Sequence, residues 1–114
     1  MEDCVFCKII KGTIPSTRVY EDDKTLAFDD IHPMAPVHVI LVPKVHIPTL
    51  MDVKGDYQEY LNAIMEAAPI VAGIKGVDQK GFRVVINCRK EGGQLVFHLH
   101  MHLLGGRQLD DEMG

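Results

Sequence analysis

The chain has 114 residues, 46% of them hydrophobic and 25% charged, and a formal charge of -4 at pH 7. That balance argues against a disordered or membrane-spanning chain and predicts a single domain over residues 1–114, long enough to bury a core without disulfide staples. The acidic charge argues against a general nucleic-acid binder, no apolar run approaches membrane-spanning length, and Glu2 and Asp3 stand where an export signal needs basic residues. A cytoplasmic protein with neither a membrane nor a nucleic-acid partner is expected.

In chain order, the first element is a short amphipathic helix over Val5–Lys11, closed by Gly12 and followed by Ile14-Pro15, a pair that favours an extended exit. Residues 17–29 place two runs of strand formers around the acidic turn Glu21-Asp22-Asp23-Lys24, which predicts a hairpin. Residues 37–42 (VHVILV), bounded by prolines, read as a central strand. The main helix should open at Asp56-Tyr57-Gln58-Glu59 with a capping box and continue through Leu61, Ile64, Met65, Ala68 and Val71, with Pro69 kinking or breaking it. Residues 81–88 (GFRVVINC) and 97–104 (FHLHMHLL) are the last strand candidates, separated by the polar loop 89–94. The expected fold is α+β, a five-stranded antiparallel meander carrying one long and one short helix.

His98, His100 and His102 alternate with Leu99, Met101 and Leu103. On a strand, all three imidazoles point to one face and the apolar set packs beneath them. A lone strand histidine is more often structural, but three on one face suit an acid, base, nucleophile or ligand. One metal held by all three is disfavoured, because the outer pair would lie about 13 Å apart at strand rise while zinc needs each nitrogen at about 2.0–2.1 Å. A central nucleophile flanked by groups that hold a phosphate fits better. Cys4, Cys7 and Cys88 are an odd number, so free thiols or a metal site are favoured over a disulfide framework.

The segment FHLHMHLLGGR resembles the signature of the histidine triad family, and CVFCKIIKGTIP, LAFDDIHPMAPVHVILVPKVHI and GFRVVIN resemble its other blocks in order and spacing, so the likeness covers nearly the whole chain. The GGRQ segment is more similar to the nucleoside phosphoramidate hydrolase branch than to the dinucleoside polyphosphate hydrolases. What the resemblance implies is a purine nucleoside phosphoramidase in which His100 attacks phosphorus, a nucleotidyl-histidine forms, and water releases the nucleoside monophosphate. His102 would bind a non-bridging oxygen and His98 support the site from the side, with no catalytic metal required. Asn87, Gly93, Gln94 and the backbone of Leu95 would contact the phosphate. Asp30 would bind the ribose hydroxyls, and Phe28 and Ile31, with Val5, Phe6 and Ile9, would form the slot for the base. The plain alternatives are a turn-capping Asn87 and an apolar set that is simply core. Asp29 stands beside Asp30, and strand register decides which faces the sugar.

Leu95 departs from those family members that carry a serine there, so a hydroxyl donor to phosphate or leaving nitrogen is missing. The resemblance also pairs Cys4 and Cys7 with His46 and His98 as a Cys2His2 structural zinc site, and it implies a homodimer joined through the main helix and the RVVIN strand. Two other readings stand beside the first: a dinucleoside polyphosphate or adenylyl-sulfate hydrolase, and a non-catalytic nucleotide-sensing module.

Overall fold

The computed structural model describes residues 3–114. Its elements are α1 (Val5–Lys11), β1 (Arg18–Glu21), β2 (Thr25–Asp29), β3 (Val37–Pro43), a short 3-10 turn (Leu50–Asp52), α2 (Tyr57–Ile74), β4 (Phe82–Val85) and β5 (Met101–Gly105). The five strands form one sheet in the order β1-β2-β3-β5-β4, every neighbouring pair antiparallel. The fold is therefore α+β, as the patterning implies, but the meander stops at β3. The chain crosses the sheet as α2, lays β4 at the far edge, and returns to insert β5 between β3 and β4. Burial explains the exchange. Leu99, Met101 and Leu103 are almost wholly buried and belong at the centre, whereas Phe82 and Val84 of β4 are over a third exposed and tolerate an edge.

Each face of the sheet is covered by one helix. Ala27, Val39, Leu41, Met101 and Leu103 pack on Ile64, Ala67, Ala68, Val71 and Ala72 of α2. On the other face Leu26, Phe28, Ile40 and Val42 pack on Phe6 and Ile9 of α1. Seven residues of helix are marginal alone, so α1 depends on this packing and on its ends. Gly12 closes it at φ +82 and returns its N–H to Ile9, while Cys4 caps its start by accepting the Cys7 N–H on sulfur at 3.3 Å.

Three local expectations change. The capping box at Asp56 does not form, since Asp56 makes no side-chain cap bond. The box belongs to Thr49 and Asp52 instead. Pro69 does not end α2, which runs on to Ile74. It sits on the exposed side, where water can serve the carbonyl that lacks a partner. The last strand begins at Met101, so of the three triad histidines only His102 lies within it. The 98–100 stretch is held instead by the Leu99 N–H, which donates to the Ile47 carbonyl at 2.6 Å.

Candidate active site

The alternation of the triad puts Leu99, Met101 and Leu103 into the interior and leaves three imidazoles on the face of α1. Phe6 meets the rings of His98 and His100 edge-on, at 5.9 and 5.0 Å between centroids, and the His100 ring lies 4.9 Å from that of His102. Each ring has one nitrogen committed, and the commitments differ.

His98 Nε2 donates to the Pro43 carbonyl at 3.0 Å, leaving the Nδ1 lone pair free. That lone pair faces Cys4 Sγ at 3.3 Å and Cys7 Sγ at 3.6 Å. His100 Nδ1 donates to the His98 carbonyl at 2.8 Å, so its unprotonated nitrogen is Nε2. His102 Nδ1 faces His38 Nε2 at 2.8 Å. The direction of that last bond follows from one residue further away. The Met34 N–H donates to His38 Nδ1 at 3.0 Å, so neutral His38 carries its proton on Nε2 and donates it to His102. His102 in turn carries its proton on Nε2. The row presents a free Nδ1 lone pair on His98, a free Nε2 lone pair on His100 and an Nε2–H donor on His102, in that order.

Burial keeps these rings neutral. It lowers His98 and His102 from the ordinary imidazole value to about 4 and also lowers His100 and His38. A neutral His100 is nucleophilic at pH 7 without a base to deprotonate it.

Register separates the two aspartates. Asp29 pairs with Val39, on the face of α2, and binds Lys75 Nζ at 2.9 Å. Asp30 lies on the triad side, with Oδ2 3.4 Å from His38 Nε2 and Oδ1 accepting the His32 N–H at 2.8 Å. Asp30, His38 and His102 together have the donor types of a metal site. The Met34 bond argues against that use, because a metal on Nε2 would need the His38 proton on Nδ1, facing another N–H.

The loop before the triad is a closed turn. The Gly93 N–H donates to Lys90 and the Gln94 N–H to Arg89, and Gly93 has φ +84. Gln94 is buried, with Oε1 accepting the Arg89 N–H and Nε2 donating to Pro48 and Val96. Its side chain is a strut of the loop rather than a free ligand contact. Leu95 follows with 92% of its surface exposed. Asn87 is half-buried two residues past β4; continuing the Val85–His102 pairing brings it opposite His100. Phe6, Ile9 and Phe28 are core, whereas Ile31 is 85% exposed and Val5 partly so.

Cys4, Cys7, His46 and His98 converge, their ligand atoms all within 4.8 Å of one another. The Cys7 Sγ to His46 Nδ1 distance is 3.4 Å. These separations match the roughly 3.5 Å edges of a tetrahedron drawn with ordinary zinc–sulfur and zinc–nitrogen bonds. Pro43 supplies the outer hydrogen bond that orients a ligating histidine. The donor set therefore fits a closed structural zinc site. The sequence reading did not single out His38, which the fold brings to 2.8 Å from His102.

An antiparallel sheet with a helix on each face and a histidine row beside the shorter helix defines a class, and comparison with known proteins names it. The HIT domain model matches residues 11–109, and the chain belongs to the HIT domain family. It is 44% identical over 108 residues to the purine nucleoside phosphoramidase of Escherichia coli (strain K12), spanning 95% of this chain and 91% of that one. A 14 kDa zinc-binding protein of Brassica juncea is 47% identical over 110 residues, 95% of this chain and 96% of its own. Among solved structures, a HIT family hydrolase from Clostridium thermocellum superposes with TM-score 0.96 at 46% identity, covering 99% of this chain and 98% of that one.

Proposed function

We propose that the chain is a nucleoside phosphoramidate hydrolase that cleaves the P–N bond of purine substrates through a nucleotidyl-histidine. The observation that carries this reading is the committed tautomer of each triad ring, above all the free Nε2 of neutral His100 beside the Nε2–H of His102. His100 Nε2 attacks phosphorus as the P–N bond breaks and the amine departs with a proton from solvent, and the His102 N–H bonds a non-bridging oxygen where charge gathers. Water then cleaves the P–N(His100) bond, releasing nucleoside monophosphate and restoring the lone pair. Asp30 receives the ribose hydroxyls, Asn87 and the Leu95 N–H contact the phosphate, and Ile31 and Val5 cover the base against Phe6, Ile9 and Phe28. The E. coli phosphoramidase at 44% identity supports the substrate class.

Cys4, Cys7, His46 and His98 hold structural zinc in this reading, and the zinc-binding relative supports the assignment. Zinc there supplies cross-linking between α1 and the triad segment. The exposed Met65, Ile70 and Ile74 of α2, with Phe82 and Val84 of β4, form the contact of a homodimer. No helix among the described residues is long and apolar enough to cross a membrane, and none of Cys4, Cys7 and Cys88 forms a disulfide.

Steady-state hydrolysis of an adenosine phosphoramidate, with a diadenosine polyphosphate as control, tests the proposal. AMP release from the phosphoramidate alone, reduced on the order of 10³-fold or more in His100→Ala, is the expected result. Equal release by that variant would sink the assignment of the nucleophile, and turnover of the polyphosphate alone would favour the other hydrolase branch.

A further inference from the structure

Beyond the start of β4 lies a cavity of about 710 Å³ between the 76–81 turn, β4 and the 106–109 segment. Its wall carries Lys80, Arg83 and Arg107 and no acidic side chain, in a chain whose net charge is -4. Among the described residues, none of the three makes an ion pair. Both guanidiniums bond only to backbone oxygen: Arg83 to Asp110, and Arg107 to Gln108 at 3.1 Å and Met34 at 3.4 Å. Three cations without an ion-pair partner around one concavity raise the local potential for an anion, and the two guanidiniums keep N–H groups to offer it. The volume falls within the range of small-molecule sites, and Val77 and Leu109 give it an apolar wall.

We infer that this cavity is a second binding site, separate from the triad, for a small dianion bearing a phosphoryl group. Inorganic phosphate and the phosphate of a mononucleotide share that chemistry. The site adjoins the machinery already described. Arg83 pairs with Leu104, which pairs with His38, so Arg83 and His38 stand in one cross-strand row on the same face. Arg107 grips the carbonyl of Met34, whose N–H fixes the His38 tautomer. An anion drawing Arg107 inward acts on that loop. The acidic tail Asp110-Asp111-Glu112 leaves beside Arg83 and competes for the same cations.

Titration of the full-length protein with inorganic phosphate, and separately with AMP, at constant ionic strength, reads the site through backbone amide shifts. Saturable shifts at residues 76–81 and 106–109 are expected with both ligands, retained in His100→Ala. Affinity should drop at least tenfold in Lys80→Gln/Arg107→Gln and rise in a chain truncated after Leu109. The truncation keeps the test open should the double variant not fold. Shifts confined to the triad and the 89–95 loop, or linear shifts that chloride reproduces, overturn the inference. Shifts at the cavity with AMP that inorganic phosphate does not cause assign the contact to the nucleoside and overturn it as well.

Discussion

The proton on His102 Nε2 depends on two groups outside the triad, the His38 ring and the Met34 N–H behind it. Removing the ring as His38→Ala leaves the Nδ1 lone pair of His102 unfilled and lets the proton settle on either nitrogen. We expect kcat for an adenosine phosphoramidate to fall on the order of tenfold, the worth of one hydrogen bond made in the transition state, with KM little changed. His38→Gln, whose amide can still donate, should recover part of the loss; a KM effect with kcat intact would place His38 in binding instead. Leu95 permits a second test at this scale. Since residue 95 brings no hydroxyl, Leu95→Ser should raise kcat/KM for aliphatic amine leaving groups, which need a proton, more than for aryl amines. An equal gain for both would remove leaving-group protonation as the explanation. Of these roles, the sequence carries that of His100 openly, because three alternating histidines have few structural readings. It hides His38. One histidine in VHVILV reads as core, and only the pairing of Ile40 with His102 and of His38 with Leu104 brings the two rings together.

At the scale of elements, α1 and the triad segment are joined through side chains that sit 94 residues apart, Cys4 and His98. The Cys4 cap and Cys7 one turn later put both sulfurs at the same end of the helix, and the Leu99 bond to Ile47 holds His98 beside His46. Chelation of bound metal, or Cys4→Ser/Cys7→Ser, should therefore release α1 first. The expected drop in Tm is about 10 °C, which about 2–3 kcal/mol produces in a domain of this size, with metal content measured on the same samples. A metal-free protein with unchanged Tm would show that packing of Phe6 and Ile9 is enough. Gly92 tests the neighbouring loop. A Cβ there would run into the backbone oxygen of Cys88, so Gly92→Ala should distort the turn that sets Leu95 and raise KM with little loss of fold. Helix and hairpin positions were legible from periodicity and turn residues, which are local. The order of β4 and β5 was not, because it turns on which strand buries more surface after α2 has carried the chain across the sheet.

For the whole molecule, the burial that makes the triad chemically useful carries a cost in acid. In the fold His102 titrates at about 4, lowered from 6.5 mainly by burial, and His38 and His100 are lowered for the same reason. The unfolded chain takes up those protons near 6.5, so below that pH it binds more protons than the native state, and stability falls as pH falls. The full contribution is present above pH 6.5 and is lost progressively towards pH 4. Carboxylates act in a lower window: Glu21 is held below its ordinary 4.5 by its bonds to Lys44 and Arg18, so it contributes only near and below that value. Thermal melting at pH 7.5, 6.5, 5.5 and 5.0 separates the two. Tm should be highest at 7.5, begin to slip by 6.5 and decline clearly by 5.0, and His38→Gln should flatten part of the decline. The same burial sets the activity profile, since protonated His100 has no lone pair to attack with. Its lowered value moves the midpoint of the acid-side fall in kcat/KM below the ordinary imidazole range, so more than half of the activity remains at pH 6.5. A Tm constant down to pH 5.0, or activity already halved at pH 7, would mean that the imidazoles are solvated and that the row is not the dry, neutral site the fold builds around it.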